Sequence, residues 1–465
     1  MLEFWKPPTM DDVRAGEDLN KFKVVSMFAG LGGSSTGYRL AGGKVLAVNE
    51  FIDYRQTTYA KNYPTTPVWP EDIRKLTGEE ILRRTGLKKG ELDILDGSPP
   101  CSDFSTNNMG TREQKWGKVK NYSNTTQRVD DLFYEFARII TEVQPKVFIA
   151  ENVKGLVIGS AKQILGSESS LSKFVKSEDA HTLKGLTGQD ATILEALKAC
   201  GYKVSYKVMK ASEYGIPQIR ERLIFMGVRN DLPFNPSFPK AMERYLIDPI
   251  VGKDAIGEFL FNGANVLLNP ETMTCQYIKN YFPPHCTKKM VLDIMKKNDL
   301  HTFAHRYHRD TWNKVFYTIV SQDGNNTTHS IVDRYNSVCE GQRIQAFPDD
   351  YEFDMYPSKR IKVSISDLEN PHFTSKLRYK WFHAGHEAVD VKKPTIKDLI
   401  ALTGWDYDKI RDDKVFSIDT EVDYEWDKKQ YQHSSRVWES IGRAVPPLLH
   451  KVVAEHVYSN ILSKL

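Results

Sequence analysis

Residues 92–105, LDILDGSPPCSDFS, constrain the fold more than any other stretch of the chain. Asp93, Ile94, Leu95 and Asp96 read as the end of a buried strand. Gly97, Ser98, Pro99 and Pro100 break it, because proline fixes φ and cannot continue a central ladder. Cys101 follows at once. In open α/β sheets ligands gather outside the carboxyl ends of the strands, so a thiol on this loop faces the usual crevice. The Pro-Pro platform also limits backbone drift, which suits a nucleophile that must meet one carbon atom. Taken alone, the stretch is equally compatible with a turn that carries an incidental cysteine.

The flanking chain supplies the rest of an α/β sheet. Residues 23–28 form a short apolar strand, 29–33 a glycine turn and 34–40 a helix opening on hydroxyl caps. That is the first half of a nucleotide-type βαβ unit. A second strand, 45–48, ends in Asn49, Glu50 and Phe51, which places a carboxylate roughly 20 residues past the glycines, where such folds bind ribose hydroxyls. Ser35 stands where a dinucleotide fingerprint has its third glycine, so a plain structural turn stays open. Asp72 precedes a helix-like run and could read an adenine amino group or act as an N-cap. Residues 103–128 carry Arg112, Lys115, Lys118, Lys120 and Arg128 and read as a loop of positive character, either solvated or closing on phosphate. A helix over 131–143 leads to a strand at 147–150, with Glu151 and Asn152 at its carboxyl end. Strands at 202–209 and 223–228 flank Gln218, Arg220 and Arg222, whose alternation puts all three on one face of an entering strand.

Length implies two domains, since 465 residues exceed what one core usually organises. The strand–helix rhythm fades after residue 229. The five cysteines are scattered without a CxxC pair, which argues for a reducing compartment and against a disulfide framework or zinc module. His301, His305 and His308 with Cys286 are a weak metal set for the same reason, and no metal is expected. A net charge of +4 permits nucleic acid without demanding it. The absence of an apolar run of about 18 residues and of a signal peptide predicts a soluble, cytoplasmic protein that touches no membrane.

Six motifs stand in one order: FAGLGG at 28–33, SPPCSDFS at 98–105, ENV at 151–153, QIRER at 218–222, RYNSVCEGQRIQAFPDDY at 334–351 and GRAVPP at 442–447. Together they resemble the DNA (cytosine-5) methyltransferase family over about residues 21–229 and 331–465. The resemblance implies an α/β, Rossmann-like S-adenosylmethionine-dependent domain over 1–229 and a smaller, irregular target-recognition domain over 230–432. Recognition itself would reside in roughly 230–330, an insertion would occupy about 353–431, and 433–465 would return to the catalytic domain. It implies S-adenosylmethionine against Phe28, Gly30, Leu31, Gly33, Pro100 and Ala444, with Glu50 on the ribose, Phe51 on the adenine, and Asp72 and Ile73 at its edge. Ser105, Asn152 and Gln218 would face the substrate, a double-stranded DNA. A prokaryotic or phage-infected cell, a restriction–modification context and a monomer are the matching expectations.

The chemistry suits these residue types. A thiolate adding at carbon 6 of cytosine makes carbon 5 reactive, so Cys101 is the nucleophile. Glu151, protonated when the base binds, can donate to ring N3. Arg220 and Arg222 can hold O2 and favour the thiolate. A base inside a duplex must be flipped out to reach the thiol. Rivals are a tRNA cytosine-5 methyltransferase with the same motifs, a non-catalytic binding module, and a nicotinamide dehydrogenase that leaves the Cys, ENV and QIRER set without work.

Two departures stand out: Ser26 replaces a frequent Asp, and Arg443 a usual Asn. A fixed cation about 6 Å from a sulfonium costs on the order of 3 kcal/mol at an effective dielectric of 20. Arg443 therefore requires an anion. That anion is a neighbouring acid, a DNA phosphate, or a carboxylate on the donor itself. The last would be carboxy-S-adenosylmethionine, giving 5-carboxymethylcytosine, with Arg443 binding the cofactor.

Overall fold

The computed structural model describes residues 4–99, 120–122, 125–127, 132–154, 193–261, 278–298, 300, 307–319, 328–331, 336–353, 361–363, 416–418 and 435–465. Its centre is a seven-stranded sheet of order β3-β2-β1-β4-β7-β9-β8. The strands are β1 (Phe22–Met27), β2 (Gly43–Asn49), β3 (Val68–Trp69), β4 (Ile94–Gly97), β7 (Val147–Val153), β8 (Tyr202–Lys210) and β9 (Glu221–Arg229). β5 (Lys120–Tyr122) and β6 (Thr125–Gln127) pair separately as an antiparallel ribbon within the stretch read as a loop. All four residues of β4 are buried, and so are the first six of β7. Strands covered on both faces read as continuous apolar runs instead of alternating, which is why they stand out in the sequence.

β3, β2, β1, β4 and β7 run parallel, while β9 inserts antiparallel between β7 and β8. From β1 the chain builds outward to β2 and β3, then restarts on the other side with β4. The β1/β4 junction is therefore the topological switch point, where α/β sheets open a crevice at the carboxyl ends. The glycine turn leaves β1 there, and the Pro-Pro loop leaves β4 beside it.

Helices cover both faces. On one, α5 (Leu132–Val143) turns Leu132, Phe136, Ile139, Ile140 and Val143 inward against Leu95, Phe148 and Phe225. On the other lie α1 (Met10–Asp18) and α2 (Gly33–Leu40), with the C-terminal helix Pro447–Asn460 along α2. That helix packs close enough that a Cβ on Gly37 would sit 2.4 Å from the Pro447 carbonyl oxygen. The approach is closer still at Gly33, where a Cβ would lie 2.1 Å from the Val445 oxygen. Gly33→Ala is therefore expected to cost about 1–3 kcal/mol of stability through overpacking against backbone, read as a lowered Tm.

β9 ends at Arg229, and the described chain beyond it forms short helices, among them Glu243–Ile247, Gly252–Ile256 and Lys288–Lys297. Ile278, Phe282, Cys286, Val291 and Tyr307 make a small separate core there. Inside the 353–431 stretch, β10 (Ile361–Val363) pairs antiparallel with β11 (Phe416–Ile418). No helix among the described residues is long and apolar enough to cross a membrane.

Candidate active site

The carboxyl ends of β1 and β2 open onto a cleft of about 490 Å³, its open mouth included. Phe28, Glu50, Phe51, Asp72 and Ile73 line it together. Phe28 has φ of 55°, a left-handed conformation that a bulky side chain adopts only when the surroundings impose it. Gly30 and Gly32 follow at 58° and 81°, so the turn winds tightly at the mouth of the crevice. Glu50 fixes that turn: its Oε2 accepts from the Gly30 N–H at 2.7 Å, and its Oε1 from the Ile52 N–H at 2.7 Å. A carboxylate has further lone pairs after two such bonds, so Glu50 stays available to hydroxyl donors. Phe51 is 41% exposed, a ring face open to stacking. Asp72 caps the short helix Ile73–Lys75 through the Arg74 N–H and also lines the cleft. An exposed ring, a fixed carboxylate and a backbone turn beside it fit a nucleoside.

On the other side of β4 lies the second cluster. β7 delivers Glu151 and Asn152 beyond the point where β4 turns into its loop. Asn152 Nδ2 donates to the Pro99 carbonyl at 3.2 Å, bracing the segment that leads to Cys101. β9, paired antiparallel with Val153 opposite Arg222, brings Arg222 Nε within 2.7 Å of Glu151 Oε1. Burial draws the pKa of Arg222 down, and the Glu151 charge draws it back up. A guanidinium is too basic to lose its proton near neutral pH, so Arg222 stays charged. The arrangement is a nearly buried carboxyl held by a cation, one strand away from the carboxyl end of β4.

A family model for C-5 cytosine-specific DNA methylases matches residues 22–364. The chain belongs to that family. Among the relatives, it is 29% identical over 353 residues to the Type II methyltransferase M.PspPI of Psychrobacter, covering 73% of this chain and 74% of that protein. M1.HphI of Haemophilus parahaemolyticus is 28% identical over 340 residues, covering 71% and 78%. M.XorII of Xanthomonas oryzae is 29% identical over 230 residues, 49% of this chain, and the chain spans only 45% of that protein's length.

Other methylase-motif residues pack around the two clusters. Leu31 packs in the core, and a Cβ at Gly33 would have no room beside Val445, so these two shape the turn from behind. Gln218 is fully buried, donating to Gln345 Oε1 at 2.7 Å and accepting from the Ile319 N–H at 3.0 Å. Arg220 is also 0% exposed. Its Nη1 donates to the Ile319 carbonyl at 3.2 Å and its Nη2 to that of Gly442 at 2.9 Å. Burial and the adjacent Arg222 charge lower its pKa, with Glu151 opposing. Gln218 and Arg220 lie just before β9, which starts at Glu221, and both side chains are buried in the interior. Arg220 ties Ile319 to Gly442, and Arg222 alone of the two forms an ion pair with Glu151.

Ala444 accepts from Gln345 Nε2 through its carbonyl. Arg443 Nε pairs with Glu439 Oε1 at 3.0 Å in its own helix, Ser435–Arg443. Pro100, Cys101 and Ser105, like most of 102–128, lie outside the described residues, as do His301 and His305. Cys286 donates to the Tyr307 carbonyl, and no group of three or more His, Cys, Asp or Glu among the described residues could hold a metal. Sequence reasoning missed Asn49, Ile52, Arg55, Ser98 and Leu132 on the nucleoside cleft. Asn49 and Ser98 were visible as strand-end neighbours of Glu50 and Pro99. Arg55 and Leu132 had no local signal, because helices α3 (Asp53–Asn62) and α5 bring them from the side.

Proposed function

We propose that this chain transfers a methyl group from S-adenosylmethionine to carbon 5 of a cytosine in double-stranded DNA, through a covalent adduct with Cys101 on a flipped-out base. The Glu151–Arg222 pair beside the β4 loop carries the reading. The cofactor, held by the cleft of Phe28, Glu50, Phe51, Asp72 and Ile73, supplies an electrophilic methyl group. Cys101 adds to carbon 6 of the ring. Glu151 holds a proton for N3 as charge builds there, and Arg222 orients Glu151 and faces O2. After transfer, which would leave the cofactor as a neutral thioether, a base removes the carbon-5 proton, N3 returns its proton to Glu151 and the thiolate leaves, so the base gains one methyl group and one proton is released. Family membership and Type II relatives support DNA over tRNA, and a bacterial cytoplasm with a restriction–modification role. Sequencing methylated cytosines in DNA from cells expressing the chain tests the reading directly. Unmodified DNA together with labelled tRNA would overturn it in favour of the tRNA rival.

Ordinary S-adenosylmethionine is the donor in this proposal. Of the three anions open to Arg443, a neighbouring acid is present in Glu439, at 3.0 Å. A half-buried i,i+4 pair of this kind contributes about 1 kcal/mol or less. Arg443→Asn is accordingly expected to leave kcat and the cofactor KM within about threefold of wild type, with 5-methylcytosine the product of both by mass. A wild-type preference for carboxy-S-adenosylmethionine that Arg443→Asn abolishes would reverse this assignment.

A further inference from the structure

Asp96 is fully buried on β4, directly opposite Ser26 of β1 in the parallel register. Its Oδ2 accepts from the Ser26 and Ser34 hydroxyls, each at 2.7 Å, and its Oδ1 from the Tyr38 hydroxyl at 3.1 Å. His450 Nε2, on the C-terminal helix, stands 3.5 Å from the same Oδ1. Ser26, Tyr38 and His450 are as buried as the carboxylate itself. Burying a carboxylate costs several kcal/mol, and apolar residues of similar volume often serve stability as well or better. Mere filling of this layer does not call for one.

The four partners explain its place. Ser26 ends the strand that enters the cofactor turn, and Ser34 and Tyr38 belong to the helix that leaves it. His450 follows the 442–447 motif that packs on Gly33. Asp96 itself lies five residues before Cys101 on the strand that delivers it. We propose that Asp96 is a positioning residue: through these contacts it fixes the cofactor turn relative to the nucleophile loop. It touches neither ligand. Ser26 faces Asp96 across the β1–β4 register, so a carboxylate placed at either position lies in the same layer.

The inference rests on the methyltransferase reading for its kinetic arm alone. Two variants test it, Asp96→Asn and the exchange Ser26→Asp with Asp96→Ser, each measured for Tm, cofactor affinity by calorimetry, and kcat per folded molecule. A misplacement of about 1 Å away from the chemistry can cost on the order of 100-fold, so Asp96→Asn is expected to lower kcat by about 30–100-fold and weaken cofactor binding about tenfold. The exchange, which returns a carboxylate to the same layer, is expected to recover both to within about threefold of wild type. A purely structural Asp96 would lower Tm and leave affinity and kcat per folded molecule unchanged; that result overturns the proposal. So does an exchange variant that folds yet performs no better than Asp96→Asn. If Asp96→Asn yields no folded protein, the exchange decides alone: recovery supports the proposal, and inactivity or failure to fold rejects it. An inactive wild type that still binds cofactor would overturn the reading of function, leaving calorimetry to judge Asp96.

Discussion

Replacing Cys101 with serine is expected to lower methyl transfer by at least about 10³-fold while cofactor affinity changes by no more than about threefold. The attacking species is the anion. A free thiol has a pKa near 8.5, so a few per cent is thiolate at neutral pH before any neighbour helps, whereas an aliphatic hydroxyl ionises negligibly. The cleft is lined from the ends of β1, β2 and β3 by Phe28, Glu50, Phe51, Asp72 and Ile73, and serine has nearly the size of the cysteine it replaces. Binding and chemistry should therefore separate cleanly. An oligonucleotide with 5-fluorocytosine at the target should trap wild-type protein as a covalent adduct at Cys101, because fluorine cannot leave as a proton does. Serine protein that keeps most of its turnover, or wild-type protein that forms no adduct, would remove the covalent mechanism.

The central strands were legible because burial on both faces writes itself as apolar runs. The strands read at 23–28, 45–48, 147–150, 202–209 and 223–228 fall on β1, β2, β7, β8 and β9, and the helix read at 131–143 on α5. The two-residue β3 is too short to leave a pattern. Strand direction was not legible either: the short connection from β8 to β9 permits antiparallel pairing, but apolar runs look alike in both directions. Five of the residues assigned to the cofactor share one cleft, since each sits at a strand end or just past it. Side chains with distant partners escaped. Arg220 bonds to Ile319 and Gly442, and Asp96 reaches from β4 to Ser26, Tyr38 and His450, contacts that no local spacing announces. The Glu439–Arg443 pair is different. Its i,i+4 spacing was readable, and with it Arg443 has an acid close at hand.

The two arginines of the QIRER motif should fail in different ways. Arg222 pairs with Glu151 at the strand ends that flank the nucleophile loop. Truncating it to leucine leaves a nearly buried carboxyl without its cation and removes the positive charge facing the ring. Losing one preorganised group of this kind costs about 10²–10³ in kcat, and stability falls as well, by up to about 3–5 kcal/mol if Glu151 stays ionised. Glu151→Gln keeps the shape and loses the transferable proton, for an expected loss of about 10²–10⁴ in kcat, and lowers Tm as well because the buried Arg222 loses its counter-charge. The double variant should restore some stability relative to Arg222→Leu, because no unpaired carboxylate remains, without restoring turnover. Arg220→Leu should do the reverse. It strands the carbonyls of Ile319 and Gly442 in the interior, at about 1–3 kcal/mol each, while the Glu151–Arg222 pair stays intact. Its Tm should drop sharply, and kcat per folded molecule should fall far less than in Arg222→Leu. Turnover numbers normalised by active-site titration with the 5-fluorocytosine oligonucleotide separate the two. Equal kcat losses at Arg220 and Arg222 in folded protein would mean that both guanidinium groups act on the base, and that the buried position of Arg220 gives way when DNA binds.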